Sequence, residues 1–130
     1  MQLRAGWLSA RELAELVLGR VDAVNPVVNA VVEVHREAAL RAADDADLVL
    51  ARGERVGTSH RVPMTVKESF QAAGMRSTWG SPVLAGHVAG HVADRDAVVV
   101  SRLSSAGAVQ TTRCGVWSAA ARAVTTLSPR

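Results

Sequence analysis

The spacing of apolar and polar residues predicts an amphipathic helix near the start of the chain. Leucines and valines recur with the period of a helix over Ser9–Val24, and Ser9 with Glu12 forms the Ser-x-x-Glu pattern of a capping box. The pair Asn25-Pro26 follows directly. Because proline has no amide hydrogen to donate inside a helix, we expect the helix to end there.

A strand and a second helix are predicted next. Val27–Val34 is rich in β-branched residues, which favour strands. Arg36–Arg52 is rich in alanine, and Gly53 suits the position after a helix end. One face of this helix would carry apolar side chains, namely Ala39, Ala42, Ala43, Ala46, Val49 and Leu50.

The second half of the chain repeats the alternation of strand and helix. Val62–Val66 predicts a short buried strand, although Pro63 leaves one ladder position without a donor. Asp96 is a candidate cap for a helix that Gly107 ends, and a further strand begins at Ala108. The order helix, strand, helix, strand, helix, strand predicts an α/β domain.

Charge is unevenly distributed along the 130 residues. The net charge is +3, yet residues 1–109 carry 12 basic and 12 acidic groups and sum to zero. The excess comes from residues 110–130, which contain three arginines and no acid. This balance argues against a basic face, so we expect no nucleic-acid partner.

The cysteine content and the N-terminus suggest where the protein works. A single cysteine, Cys114, rules out an internal disulfide, and charged residues interrupt the apolar start of the chain, so no secretory signal is expected. No apolar run approaches the length of a membrane span. We therefore expect a cytoplasmic protein without a membrane partner, whose oligomeric state the sequence leaves open.

Lys67 is the only lysine among 15 basic residues. Arginine is always charged, whereas a lysine that loses water can act as a base. Most lysines are solvated surface charges, but this one ends a short apolar run. The use of lysine at this single position raises the hypothesis of a chemical role.

Lys67 lies in His60–Glu68, one of six ordered pieces with a recognisable pattern. The other five are Leu8–Leu13, Val24–Val31, Ala73–Pro82, Asp94–Val99 and Leu103–Val109. Together these pieces, over about residues 3–109, resemble the amidase signature family, with Lys67 in its lysine segment. Members of that family run to several hundred residues. The resemblance therefore implies the N-terminal portion of a mixed-sheet α/β fold that is incomplete in this chain.

The resemblance implies amide hydrolysis by a Ser–Ser–Lys triad. Lys67 matches the lysine, which takes a proton from a bridging serine so that a second serine attacks the carbonyl. Such a base must be neutral, so we expect Val62, Met64 and Val66 to keep water away from it. The implied substrate is a small-molecule amide, and no metal or organic cofactor is needed. A related amidotransferase subunit is an open alternative.

The two serines of the triad are not found in this chain. The only Ser-Ser pair is Ser104-Ser105, which lies in a predicted helix without flanking glycines. We therefore expect this chain alone to be inactive. A further departure is Arg61, which stands where the family usually has glycine, a residue that permits unusual backbone angles. Three other serines near the lysine lack the context of a nucleophile: Ser69, Ser77 and Ser81.

Residues 110–130 depart from the family pattern. They contain no acid, no lysine and no clear period, so we expect an irregular tail. We divide the chain into residues 1–109, the N-terminal part of an amidase-like domain, and residues 110–130, an aberrant tail. We hypothesise that a shifted reading frame produced this tail, which sequencing of the gene across codon 110 would test.

Other functions are compatible with the sequence. The chain could be a small arginine-rich interaction protein without a catalytic role, or a truncated product with no function of its own. His87 and His91 have the i,i+4 spacing of a zinc site, but neighbouring glycines disfavour a helix there. His35 and His60 are expected to be exposed polar residues, and Cys114 an unstructured free thiol.

Overall fold

The computed structural model describes residues 8–78 and 92–115. Helices and strands alternate along these residues, which confirms the predicted α/β order. The elements of the described part are α1 Ala10–Val28, β1 Val31–Val34, α2 Arg36–Ala51, β2 Pro63–Lys67, α3 Val98–Ser105 and β3 Val109–Cys114.

Helix α1 begins as predicted but ends later. The Ser9 hydroxyl accepts the amide of Glu12, and the Glu12 carboxylate accepts the amide of Ser9, which completes the capping box. The expected stop at Asn25-Pro26 is wrong, because the helix continues to Val28 with Pro26 in its interior. A proline so close to the end removes one intrahelical hydrogen bond, which is too small a loss to end the helix.

The turn from α1 into β1 is built around Asn25. Its side-chain oxygen accepts the amides of Ala30 and Val31 at 3.0 and 2.8 Å, and its nitrogen donates to the carbonyl of Val31. Asn29 ends the helix in the left-handed region, with a φ of 51°. The strand therefore starts at Val31 and not, as predicted, at Val27.

Helix α2 matches its prediction to within one residue. Gly53 follows it with a φ of 69°, as expected of a glycine after a helix end. Two positions of the predicted apolar face, Ala42 and Leu50, are exposed. The buried positions are all alanines: Ala39, Ala43 and Ala46.

Helix α3 has a different N-cap from the predicted one. Ala97 takes the cap position without a side-chain hydrogen bond. The prediction of Asp96 is wrong because its carboxylate accepts the amide of Ala73 at 2.7 Å, in the loop after β2. The helix ends as predicted, before Gly107 at a φ of 87°.

β3 is the central strand of a mixed three-stranded sheet. It is antiparallel to β1 on one side and parallel to β2 on the other. It starts within one residue of the predicted position and continues to Cys114, so the first residues of the predicted tail form most of this strand. Residues 116–130 lie outside the described residues, and the division of the chain at residue 109 stays a prediction.

The middle of β3 is polar. Thr111, Thr112 and Arg113 are fully buried. The hydroxyls of Thr112 and Thr65 share a hydrogen bond of 2.8 Å, and the Thr111 hydroxyl donates to the carbonyl of Met64 at 3.2 Å. Strands that helices cover on both faces are normally apolar. Hydrogen bonds therefore replace part of the apolar packing expected at this position.

Apolar packing is divided between two small clusters. The first joins α1 and α2 to β3, and the second joins β2 to α3 and to the loop after β2. Their members are Ala10, Ala14, Ala43, Ala46 and Val109 in the first, and Val66, Ala72, Met75 and Val100 in the second.

An ion pair between Arg61 and Asp47 connects three parts of the fold. Arg61 Nε lies 3.0 Å from Asp47 Oδ1, and the Arg61 guanidinium also donates to the carbonyl of Leu8. Asp47, on α2, accepts the amides of Ala10 and Arg11 at 2.8 and 3.1 Å. The pair therefore connects the start of α1, helix α2 and the segment that enters β2.

Arg61 has a φ of 68°, in the region that favours glycine. The glycine that the family resemblance implies at this position would adopt such an angle freely. For another residue the left-handed conformation costs about 1–2 kcal/mol. The contact of Arg61 with Asp47 offsets this cost, and the Arg61 amide donates to the carbonyl of Gly107 at 3.0 Å. That bond aligns the start of β2 with the start of β3.

We expect Asp47→Asn to lower the free energy of unfolding by about 2–3 kcal/mol, because it leaves the buried Arg61 without its counter-charge. Asp45 is the matched control, since it is an exposed aspartate on the same helix. Asp45→Asn should change stability by no more than about 0.5 kcal/mol. Urea unfolding of both variants measures the difference, and equal stabilities would contradict the role given to Asp47.

A second prediction concerns Gly57, which packs on the turn between α3 and β3. A Cβ at this position would meet the backbone of Ala106 well inside van der Waals contact. We expect Gly57→Ala to cost about 1–3 kcal/mol, because both backbones resist movement. Gly19, inside α1, has nothing within 4 Å of an added Cβ. Gly19→Ala should therefore stabilise the chain by about 0.5–1 kcal/mol. Thermal unfolding checks the two opposite signs.

Candidate functional site

Lys67 is the last residue of β2, at the end where the parallel strands β2 and β3 both stop. Its partner in the sheet is Cys114, the last residue of β3. The carboxyl ends of parallel strands are where α/β proteins commonly bind ligands. The strand pair therefore holds Lys67 at the edge of the sheet that suits a catalytic group.

The expected dry environment of Lys67 is wrong for this structure, because the residue is exposed. Side chains alternate between the two faces of a strand. Val66 is buried in the cluster beneath α3, and Met64 packs against the same cluster. Thr65 and Lys67 are exposed on the other face. The apolar neighbours of Lys67 in sequence therefore do not shield its ammonium group.

A buried arginine connects the ends of β2 and β3. Arg113 Nη2 donates to the carbonyls of Glu68 and Phe70, both at 2.9 Å, and to the Ser77 hydroxyl at 3.2 Å. The Thr78 hydroxyl donates to the buried carboxylate of Glu68. This arginine clamp, made by Arg113 and its three acceptors, orders the turn that directly follows Lys67.

Burial lowers the pKa of Arg113 below the usual value for arginine, because the charged guanidinium loses water. The carboxylates of Glu33 and Glu68 offset part of this shift. A cation with a lowered pKa in the folded state opposes folding at every pH below that pKa, which includes neutral pH. Nε and Nη1 of Arg113 have no hydrogen-bond partner in the described part of the chain. The bonds of Nη2 therefore carry its stabilising contribution.

The serines do not assemble a triad around Lys67 within residues 8–78 and 92–115. Ser77 is buried in the arginine clamp, and Ser104-Ser105 is exposed on α3. Ser81 lies outside the described residues. Between described residues, no hydrogen bond joins the Lys67 ammonium to a serine. The described site thus offers a candidate base without a nucleophile beside it.

His60, His35 and Cys114 have defined positions, so the expectations of exposed or unstructured residues are wrong. His60 Nε2 lies 2.9 Å from the carbonyl oxygen of Ala46, and His35 pairs with Glu33 at 2.8 Å. Cys114 is half-buried at the end of β3. The contact of His60 joins residues fourteen positions apart, so the sequence around His60 does not reveal it.

The described residues form neither a metal site nor a membrane span. In these ranges, no group of three or more His, Cys, Asp or Glu side chains is placed to hold a metal ion. His87 and His91 lie outside them. None of the described helices combines the length and the apolar character needed to cross a bilayer.

Lys67 stood out in the sequence as the candidate base, but the residues that order the turn after it did not. The burial of Glu68 could have been predicted together with its partners, since an acid that directly follows an apolar run is buried only when hydrogen-bond donors surround it. Arg113 carried no signal, because it lies in the segment expected to be an irregular tail.

A family model described as Amidase matches residues 12–128. The chain belongs to the amidase family. A glutamyl-tRNA(Gln) amidotransferase subunit of Alkalilimnicola ehrlichii is 45% identical over 107 residues, which are 82% of this chain and 21% of that protein. Acylamidase of Rhodococcus erythropolis is 40% identical over 100 residues, which are 77% of this chain and 20% of that protein. The chain spans about a fifth of the length of the curated relatives it matches.

Solved amidase structures share this fold. Native peptide amidase from Stenotrophomonas maltophilia superposes with a TM-score of 0.76 at 31% identity, over 87% of this chain and 23% of that chain. A protein of a vestigial complex linked to the origins of an s-triazine catabolic enzyme gives 0.81 at 31% identity, over 89% and 25%. The expected partial amidase fold is therefore confirmed.

We expect Arg113→Ala to lower the free energy of unfolding by about 2–4 kcal/mol, since it opens a cavity and leaves the carbonyls of Glu68 and Phe70 without their donor. Arg113→Met is the matched control, because it fills most of the volume without a buried charge. The methionine variant should lose less stability than the alanine variant in urea unfolding. An alanine variant as stable as the parent would contradict the arginine clamp.

Proposed function

We propose that this chain supplies the base of a carboxamide hydrolase, with Lys67 as that base and the rest of an amidase fold as the source of the serines. The observation that carries the proposal is the family match across Lys67, together with the position of this residue at the carboxyl end of β2. Relatives named acylamidase and indoleacetamide hydrolase support an amide substrate.

The proposed reaction starts when neutral Lys67 takes the proton of a bridging serine, which takes the proton of the nucleophilic serine. The nucleophile attacks the amide carbonyl carbon, the C–N bond breaks, and the amine leaves with the returned proton. Water then releases the acid from the acyl-serine. A neutral lysine must be shielded from water, so the added part of the fold would have to cover the exposed Lys67.

The chain by itself is proposed to be inactive. Lys67 is exposed, and no serine is bonded to it in the described part of the chain. The cytoplasmic location belongs to the same proposal and rests on the single cysteine of the sequence.

A role like that of a glutamyl-tRNA(Gln) amidotransferase subunit is the second candidate. The 45% identity with a protein of that name favours it. In both roles water would take the acyl group, but an amidotransferase would pass the released ammonia on to a second substrate, so transfer of a labelled amide nitrogen to an added acceptor separates the two roles.

The origin of residues 110–130 is a separate proposal. A shifted reading frame would explain why the middle of the central strand is polar and why Arg113 is buried with two nitrogens unbonded within the described residues. The family match that continues to residue 128 weighs against it. Sequencing of the gene across codon 110 decides between the two, because a frame that resumes the family pattern there would support the shift.

The test of the hydrolase proposal is a hybrid enzyme. The segment of Rhodococcus erythropolis acylamidase that matches this chain is replaced by the chain's own residues, and release of amine from a simple aryl amide is followed. We expect the hybrid to be active and Lys67→Ala to reduce its turnover by a factor of roughly 10⁴ or more, as when one member of a catalytic unit is removed.

Two further variants make this experiment specific. Lys67→Arg keeps the positive charge but cannot become neutral, so it should be as inactive as the alanine variant. Arg102→Met removes an exposed cation on α3 and should leave turnover unchanged. An active hybrid that tolerates Lys67→Ala would refute the proposal, and a folded but inactive hybrid would favour a truncated product without function.

A further inference from the structure

Lys67 and Cys114 are direct partners across the parallel strands β2 and β3. Each is the only residue of its type in the chain. Partners in adjacent parallel strands lie about 4.8 Å apart along the backbone and project their side chains from the same face of the sheet. The pairing therefore places an amine and a thiol beside each other at the end of the two strands.

The preceding pair on the same face shows how closely such side chains approach. Thr65 and Thr112 are also partners in the ladder, and their hydroxyl oxygens lie 2.8 Å apart. The register is unbroken from this pair to Lys67 and Cys114, which lie two residues further along each strand and so project from the same face. The flexible four-carbon stem of lysine can carry its Nζ to a sulfur at this separation.

Neither reactive group is engaged elsewhere in the described part of the chain. The Lys67 ammonium and the Cys114 thiol make no hydrogen bond or ion pair to another described residue. Lys67 is exposed and Cys114 is half-buried, so a small oxidant has access to the sulfur. The two groups are therefore free to react with such an oxidant and with each other.

The surroundings of Cys114 favour an amine as the group that captures an oxidised sulfur. Hydroperoxides convert a cysteine thiol to a sulfenic acid, which condenses with a second thiol or with a nitrogen. The chain contains no second thiol. The next backbone nitrogen, that of Gly115, donates to the carbonyl of Ala30 at 2.9 Å. The amine of Lys67 is thus the unengaged nitrogen beside the sulfur.

We propose that Lys67 and Cys114 form a redox modification site, where a hydroperoxide links the two side chains through a sulfur–nitrogen bond. In the first step the thiol becomes a sulfenic acid, and the hydroperoxide is reduced to an alcohol, or to water if it is hydrogen peroxide. The neutral amine then attacks the sulfur, the sulfur–oxygen bond breaks, and the hydroxyl group leaves as water with a proton of the amine. The protein loses two hydrogen atoms in total, and a dithiol reduces the link back to thiol and amine.

The link would control the proposed base. A nitrogen that is bonded to sulfur and tied to β3 cannot take the proton of a serine, so oxidation would stop hydrolysis and reduction would restore it. This consequence rests on the proposed function. The link itself depends only on the pairing of the two strands.

The test is oxidation of the purified 130-residue chain with hydrogen peroxide, followed by peptide mass spectrometry. We expect a product two hydrogen atoms lighter than the parent, in which Lys67 is joined to Cys114 and which dithiothreitol separates. Lys67→Arg is the matched control, because it keeps an exposed cation that stays charged and does not attack sulfur. In this variant the linked product should be absent, and Cys114 should proceed to the sulfinic and sulfonic acids.

A second control uses the parent chain in concentrated urea, where the strand pairing is lost and the link should no longer form. An equal yield in urea would overturn the inference, as would an unmodified thiol or disulfide-linked dimers as the main product. The same loss of two hydrogen atoms in Lys67→Arg would indicate ring closure onto a backbone amide and would also contradict it. The experiment measures no activity, so an inactive hybrid enzyme would refute the proposed function without affecting this result.

Discussion

The contact between Asp47 and Arg61 is the constraint on which the position of the candidate base depends. Asp47 holds the first amides of α1, and Arg61 begins the segment that leads into β2. The Arg61 amide then bonds to Gly107, which aligns β2 with β3 from their first residues. Six residues later, after one extra residue in β3 (Thr111) shifts this register by one, Lys67 lies opposite Cys114 at the common end of both strands. Charges and amides at the start of β2, together with the ladder between β2 and β3, therefore place Lys67, and its side chain makes no hydrogen bond or ion pair to another described residue.

Hydrogen bonds carry an unusual share of the interior. The central strand buries two threonines and Arg113, and the apolar clusters on either side consist mainly of alanine, valine and methionine. Small clusters contribute modest stability, since apolar burial yields about 25 cal/mol per Å². Lys67 and many larger apolar side chains are exposed in the described part, and the chain covers only about a quarter of a solved relative with the same fold.

Local signals in the sequence predicted the fold well, and contacts between distant residues caused the errors. The capping box at Ser9 and the glycine after α2 depend on neighbours within four residues, and both were found. The helix stop predicted at Pro26 was wrong, because a proline near the end of a helix destabilises it less than one in its middle. Asp96 was misassigned because its partner is the amide of Ala73, more than twenty residues away. The sequence motif pointed to Lys67 as a candidate base. Its exposure, in contrast, depends on which face of β2 it occupies and on how much of the fold surrounds it.

The alanine contact between α1 and α2 has a consequence of its own. Ala14 and Ala43 are fully buried in one cluster, against which the partly buried Leu40 also packs, so methyl groups form the centre of the contact between the two helices. Close contact between these small side chains fixes the distance between the axes of α1 and α2. Evolutionary drift at these two positions is then restricted to glycine or serine, whereas the solvent side of either helix is free to diverge.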